Sequence, residues 1–251
     1  MMDSVERFSN RVANYVKYRP HYPVAVVEYL KNEIGLTPEK TIADIGCGTG
    51  ISSELFLQNG NTVIGVEPNE AMRAAASEYL NQYEQFQLVD GTAENTTLDD
   101  ASVDIVLAGQ AFHWFDRERT KNEFKRMLKT GGHIVLMWNE RQLDTTPFLV
   151  EYEALLVKYS TDYTVVRHDQ FDEQVLEDYF DHGVKKATFA NVQNVDLDGL
   201  EGRMLSASYM PNENDAAYPA LIHDLQSLFA KHAQNGRINI LYDTNVYVST
   251  G

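Results

Sequence analysis

The sequence predicts an α/β protein: a doubly wound, mostly parallel sheet of seven strands with a helical N-terminal cap and a C-terminal helical insertion. Two observations carry this. From Thr41 to Trp138, short β-branched apolar runs alternate with stretches of helical spacing, the pattern of strands joined by crossover helices. The first of those runs flows directly into Gly46-Cys47-Gly48-Thr49-Gly50, as a buried strand does when it opens into a tight turn.

At the N-terminus, Val5, Phe8, Val12, Tyr15 and Val16 recur at three- and four-residue steps, predicting an amphipathic helix from Val5 to Lys17 that Arg19-Pro20 ends. A second helix runs from near Pro23 to Gly35. Thr41–Ile45 is the first strand, followed by a helix over Ile51–Gln58 that Gly60 terminates. Thr62–Val66 is the second strand, Asn69–Tyr83 an alanine-rich helix and Phe86–Val89 the third strand. Val103–Ala108 and His133–Trp138 are the fourth and fifth, separated by a helix from Arg117 to Leu128 and a Gly131-Gly132 turn. Beyond Trp138, helices are expected at Phe148–Tyr159, Gln174–Phe180, Leu197–Ser208 and Ala217–Ala233. Ala187–Val192 and Asn245–Ser249 would complete the sheet as an antiparallel edge.

With no repeat, low-complexity stretch or linker, one domain over 1–251 is expected: a cap (1–35), a core (41–138), and a segment that inserts helices and completes the sheet (139–251). The chain of 251 residues is 43% hydrophobic and 23% charged, the composition of an ordinary globular protein. Its 37 acidic against 21 basic residues leave a net charge of −16, which repels phosphate backbones and argues against nucleic acid as a partner. A single cysteine, and histidines that do not pair at helical ligand spacing, argue against a metal centre. The first residues lack a signal peptide's apolar core and no apolar run approaches a membrane span, so a cytoplasmic protein away from membranes is expected.

The chemistry is concentrated after the first strand. Alternate glycines let the backbone turn sharply and let a ligand approach where any Cβ would collide, although a glycine turn can also be purely structural. Glu67, 17 residues beyond Gly50 at the end of the second strand, is placed to accept both hydroxyl hydrogens of a ribose. Nicotinamide enzymes share that logic, but their fingerprint is GxGxxG, and here position 51 is isoleucine. Neither a GxxxxGK[ST] phosphate loop nor a GxSxG nucleophile elbow is present.

Asp44-Ile45-Gly46-Cys47-Gly48-Thr49-Gly50 resembles the glycine motif of class I S-adenosylmethionine-dependent methyltransferases. The likeness extends in order through Val66-Glu67-Pro68-Asn69 with Met72, Asp90-Gly91-Thr92-Ala93-Glu94, Ser102-Val103-Asp104-Ile105-Val106 and Leu128-Lys129-Thr130-Gly131-Gly132. Two flanking stretches, Tyr18-Arg19-Pro20-His21-Tyr22-Pro23 and Ala111-Phe112-His113-Trp114-Phe115, are similar to the small-molecule branch that includes trans-aconitate methyltransferase-like proteins. The resemblance implies a Rossmann-like methyltransferase fold, S-adenosylmethionine as cofactor and a small-molecule substrate.

Carried onto this chain, it implies that Gly46, Gly48 and Gly50 pass the methionine part of the cofactor, with Asp44 ordering the loop. Glu67, followed by Pro68, would hold the ribose; Met72, Thr92 and Ala93 would meet the adenine. Many relatives have an aspartate at the position of Thr92, able to accept from the adenine amino group; here that carboxylate is replaced by a hydroxyl. Gln110 would approach the sulfonium. Tyr18 and Arg19 would close over the cofactor, and Tyr15, Tyr22, His113, Trp114 and Arg141 would face the acceptor.

Each has a plainer use. Met72 shares core spacing with Ala75, Ala76 and Tyr79; Cys47 fits as a small spacer with no histidine motif to activate it; Tyr15, Tyr18, Arg19 and Tyr22 could simply pack a helix on the sheet. His113 could take a proton or wall an aromatic pocket, and Arg141 could pair with a surface carboxylate. No residue is assigned as catalytic. The lack of an acid/base constellation fits a carboxylate acceptor, which needs no deprotonation at neutral pH. A nicotinamide-dependent oxidoreductase on a similar sheet and a non-catalytic cofactor-binding module are the competing readings.

Overall fold

The computed structural model describes residues 17–160, 175–176, 179–180, 183–207 and 209–250. Tyr15 and all but the last residue of the expected first helix lie outside these residues; of the expected Gln174–Phe180 helix, positions 174, 177 and 178 lie outside them.

Seven strands form one sheet: β1 (Thr41–Ile45), β2 (Thr62–Val66), β3 (Phe86–Val89), β4 (Val103–Gly109), β5 (Leu128–Arg141), β6 (Lys185–Val195) and β7 (Ile238–Thr250). Their order is β3-β2-β1-β4-β5-β7-β6; β1 to β5 run parallel, and β7 lies antiparallel between β5 and β6. The strand order reverses between β1 and β4, so a crevice opens beyond their carboxyl ends.

Helices α1 (Ala25–Ile34), α2 (Ile51–Gln58), α3 (Glu70–Tyr79) and α4 (Arg117–Met127) cover the sheet, and α5 (Pro147–Tyr159), α6 (Leu197–Leu205) and α7 (Tyr218–His232) form the insertion. Gly35 caps α1 in the left-handed region, φ 63°, with its amide on the Leu30 carbonyl. Asn69 is the N-cap of α3, its side chain accepting from the Met72 amide at 3.1 Å.

Strand alternation splits the core in two. Ile42, Val63, Ile105, Leu107, Val135 and Met137 meet α1 and α2 on one face. Ala43, Ile45, Val66, Val106, Leu136 and Trp138 meet Phe112 and Phe124 on the other. A third cluster, including Tyr152, Leu200, Met204, Leu225 and Tyr242, holds the insertion helices on the ends of β6 and β7. Each fully buried aliphatic side chain contributes about 1.5–3 kcal/mol relative to exposure.

Two boundaries differ from the expectation. The last two strands are far longer, because polar residues that read as loop pair across them: Asn194 donates to Asn239 at 2.6 Å. The expected Gly131-Gly132 turn is an irregularity inside β5. Val103 pairs with Leu128 and Ile105 with His133, so the intervening residues bulge, with Gly131 at φ 75°.

Candidate functional site

Beyond the β1/β4 reversal lies a cavity of about 700 Å³, within the range of small-molecule sites. One side is built by the loops leaving β1, β2 and β3, the other by the loops leaving β4 and β5 together with the Arg19–Tyr22 segment and the insertion.

Gly46 and Gly48 both take positive φ, 67° and 56°, and both line the cavity. A Cβ on Gly46 would sit 2.9 Å from the Ala111 Cβ, whereas one on Gly48 would meet open space. Gly50 differs from the expectation: it lies outside the lining, its missing Cβ making room for Leu80 (2.5 Å) as α2 packs on α3. Asp44 also lies outside the lining. It is fully buried beneath the loop, where its Oδ2 accepts from Ser52 (2.7 Å) and Ser53 (2.6 Å). Burial pushes its carboxyl up to about 6 despite those two hydrogen bonds.

Glu67 lines the cavity with its carboxylate anchored by backbone: Oε2 accepts from the Gly48 amide at 3.0 Å and Oε1 from the Asn69 amide at 2.8 Å. Burial raises its pKa while those amides hold it down. A carboxylate has about four acceptor positions, so two remain. Arg73 donates to the Glu67 carbonyl (2.7 Å) and pairs with Asp90, fixing the strand end from behind. Cys47 is buried and its thiol is pushed well up, chiefly by burial, so it stays protonated and serves as packing against Gly65.

Pro68, Met72, Thr92 and Ala93 line the same side. Gln110, Tyr22, His113, Trp114 and Arg141 line the other. Gln110 holds φ 58°, unusual for a non-glycine, and its side chain donates to the Asn139 carbonyl at 3.0 Å. Trp114 is 43% exposed at the rim, with its ring 4.9 Å from that of His113. Arg141 is engaged by Glu153 and lies 5.2 Å from the Tyr152 ring, so a carboxylate of the chain already occupies it.

The N-terminal strap is only partly as expected. Arg19 lines the cavity and donates to the Ser206 carbonyl (3.1 Å). Tyr18 does not line it: its hydroxyl donates to Asp198 at 2.7 Å and its ring lies over Gly202, so it fastens the strap to α6.

The lining residues not singled out from the sequence include Thr49, Asn139, Arg203 and Tyr209. Thr49 hides between the glycines, its buried hydroxyl without a hydrogen-bond partner among the described residues. Asn139 donates to the Pro20 and His21 carbonyls (3.2 and 3.3 Å) and accepts from Asn191 and Thr244. Arg203 and Tyr209 come from the insertion. Thr49, inside the glycine motif, and Asn139, directly after the expected fifth strand and inside the observed one, lie beside recognisable signals.

Residues 43–136 match a family model described as a methyltransferase domain. A methyltransferase-like protein of Schizosaccharomyces pombe is 31% identical over 162 residues, 63% of this chain and 60% of its own length. A protein named as a probable S-adenosylmethionine-dependent methyltransferase of Saccharomyces cerevisiae is 31% identical over 153 residues, 59% of this chain and 50% of its own. The matches thus span between half and two thirds of these relatives. A structure described as a candidate type II methyltransferase from Anaeromyxobacter dehalogenans superposes over 93% of this chain and 98% of its own, with a TM-score of 0.67 and 19% identity. The fold is the Rossmann-like fold of these methyltransferase structures, and residues 43–136 are similar in sequence to methyltransferase domains. Among the described residues no helix is long and apolar enough to cross a membrane.

Proposed function

We propose that the protein is an S-adenosylmethionine-dependent methyltransferase that methylates a small molecule, with both halves of its site carried by one domain. The observation that carries this reading is the Glu67 carboxylate on the cavity wall, held at 3.0 Å by the amide of the very loop whose Gly48 faces open space.

The residues present fit the cofactor. Two acceptor positions of Glu67 suit vicinal ribose hydroxyls, Met72 and Ala93 offer apolar contact for a base, and the unpartnered Thr49 hydroxyl sits where the loop meets the ligand. When bound, the cofactor supplies a methyl group already activated by a positively charged sulfur. The chain's own task is then orientation and exclusion of water. Positioning alone can lower a barrier by about 7–11 kcal/mol. Gln110, tied to Asn139, stiffens the wall between the two halves, and the Tyr22 hydroxyl sits against Gly109, where a Cβ would come within 2.9 Å of it.

A carboxylate acceptor, as in the trans-aconitate methyltransferase-like branch, needs no base, and His113 then serves as wall rather than proton acceptor. Calorimetry with S-adenosylmethionine and S-adenosylhomocysteine should show binding of both; binding of neither rejects the reading. Tight binding without methyl transfer to any of a broad panel of small acids, amines and alcohols would instead leave a non-catalytic module.

A further inference from the structure

The acceptor side of the cavity contains a cation that no carboxylate among the described residues neutralises. Arg203, in the insertion helix α6, lines the cavity, and no acidic side chain among the described residues forms an ion pair with it. Its neighbour across the cavity wall, Arg141, is held by Glu153. In a chain of 37 acidic and 21 basic residues, an arginine left without a carboxylate in a half-enclosed site is conspicuous, because a desolvated charge is stable only when paired.

Its surroundings hold the side chain for a ligand. Nε donates to the Tyr242 hydroxyl at 3.0 Å, the guanidinium carbon lies 6.0 Å from the Tyr242 ring centroid, and that hydroxyl in turn donates to Gln193 at 3.2 Å. Tyr152 and Tyr209 stand close enough to interact electrostatically. With Nε committed, the two terminal nitrogens remain as a planar fork that matches two carboxylate oxygens. The acidic residues Glu140, Asp144 and Asp243 also line the cavity, and Asp243 accepts from Gln142. An anion is therefore drawn not to the cavity in general but to the place where Arg203 meets it directly.

We infer that Arg203 is a specificity-determining residue that anchors a carboxylate group of the methyl acceptor. The inference rests on the methyltransferase reading for the word acceptor, but its test does not. Benzoate and the linear dicarboxylates from succinate to suberate, each beside its uncharged amide, would be titrated into the full chain with and without S-adenosylhomocysteine and monitored by ligand-observed NMR. At least one acid should bind saturably and at least tenfold better than its amide. Arg203→Gln should weaken that acid tenfold or more and abolish the acid-over-amide preference, while leaving S-adenosylhomocysteine affinity unchanged. Arg203→Lys should recover part of the loss, and Tyr242→Phe, which frees Nε without removing the charge, should cost severalfold; both are checked for a native melt. An acid preference that survives Arg203→Gln, or none in the parent chain, overturns the inference. Acid selectivity in a chain that binds no S-adenosylhomocysteine would overturn the methyltransferase reading and leave the Arg203 anchor standing.

Discussion

The carboxylate of Glu67 accepts the backbone amide of Gly48 at 3.0 Å, joining the end of β2 to the turn after β1 on one side of the crevice. The second amide on this carboxylate, from Asn69, belongs to the residue that caps α3. The acid is therefore oriented before any ligand arrives, and little side-chain freedom is lost on binding.

Replacing Glu67 by alanine should weaken S-adenosylhomocysteine by about 1.5–3 kcal/mol, a roughly ten- to hundredfold rise in dissociation constant, as expected for hydrogen bonds to a charged group. Because burial raises the Glu67 pKa, cofactor binding should begin to decline on acidification at a higher pH than an ordinary glutamate would impose. Isothermal calorimetry at several pH values measures both, and unchanged affinity in the variant removes the ribose role.

Asp44 gives the fold a pH dependence of its own. The folded chain holds the Asp44 proton more tightly than the unfolded chain does, with a pKa of about 6 against 3.8. Stability from this group is thus greatest where the carboxyl is protonated and falls as pH rises between those values, by a span on the order of 3 kcal/mol. Asp44→Asn should flatten the stability profile across that window. Urea unfolding of both chains from pH 4 to pH 7 tests it; parallel profiles would show that Asp44 does not titrate there.

Asn139 binds the strap to the sheet through the Pro20 and His21 carbonyls while accepting from Asn191 and Thr244. Alanine there strands buried polar partners, at a cost of about 2–3 kcal/mol. Urea unfolding should show that loss; a variant within 0.5 kcal/mol of the parent, roughly the scatter of ordinary surface substitutions, would make the network incidental.

The parallel half of the sheet was legible because buried strands carry unbroken apolar runs, Thr41–Ile45 and Val103–Ala108 among them, and because glycines mark the turn after the first. Of the antiparallel edge only Ala187–Val192 and Asn245–Ser249 were legible; Gln193 and Asn194 extend it with polar side chains whose partners lie far away in the chain. Site residues divide along the same line. Gly46, Gly48 and Glu67 sit in local motifs, while Gly50 shares the motif but owes its place to Leu80 on another element. Arg203 reaches the cavity only through the packing of α6 on β7, which no short window of sequence encodes.

That same helix contains a glycine whose reason lies far away in the chain. A Cβ on Gly202 would fall 2.1 Å from Cε2 of Tyr18, so alanine must expel the ring and cost its hydroxyl the bond to Asp198. Overpacking of this kind costs about 1–3 kcal/mol, whereas alanine inside a helix gains about 1 kcal/mol over glycine. In the parent chain the first effect wins and Gly202→Ala should destabilise by up to about 2 kcal/mol. In a Tyr18→Ala background only the second survives, and the same substitution should stabilise by about 1 kcal/mol. Chemical unfolding of the four chains of this cycle reads the reversal of sign; an equal effect of Gly202→Ala in both backgrounds would mean that Tyr18 does not press on α6.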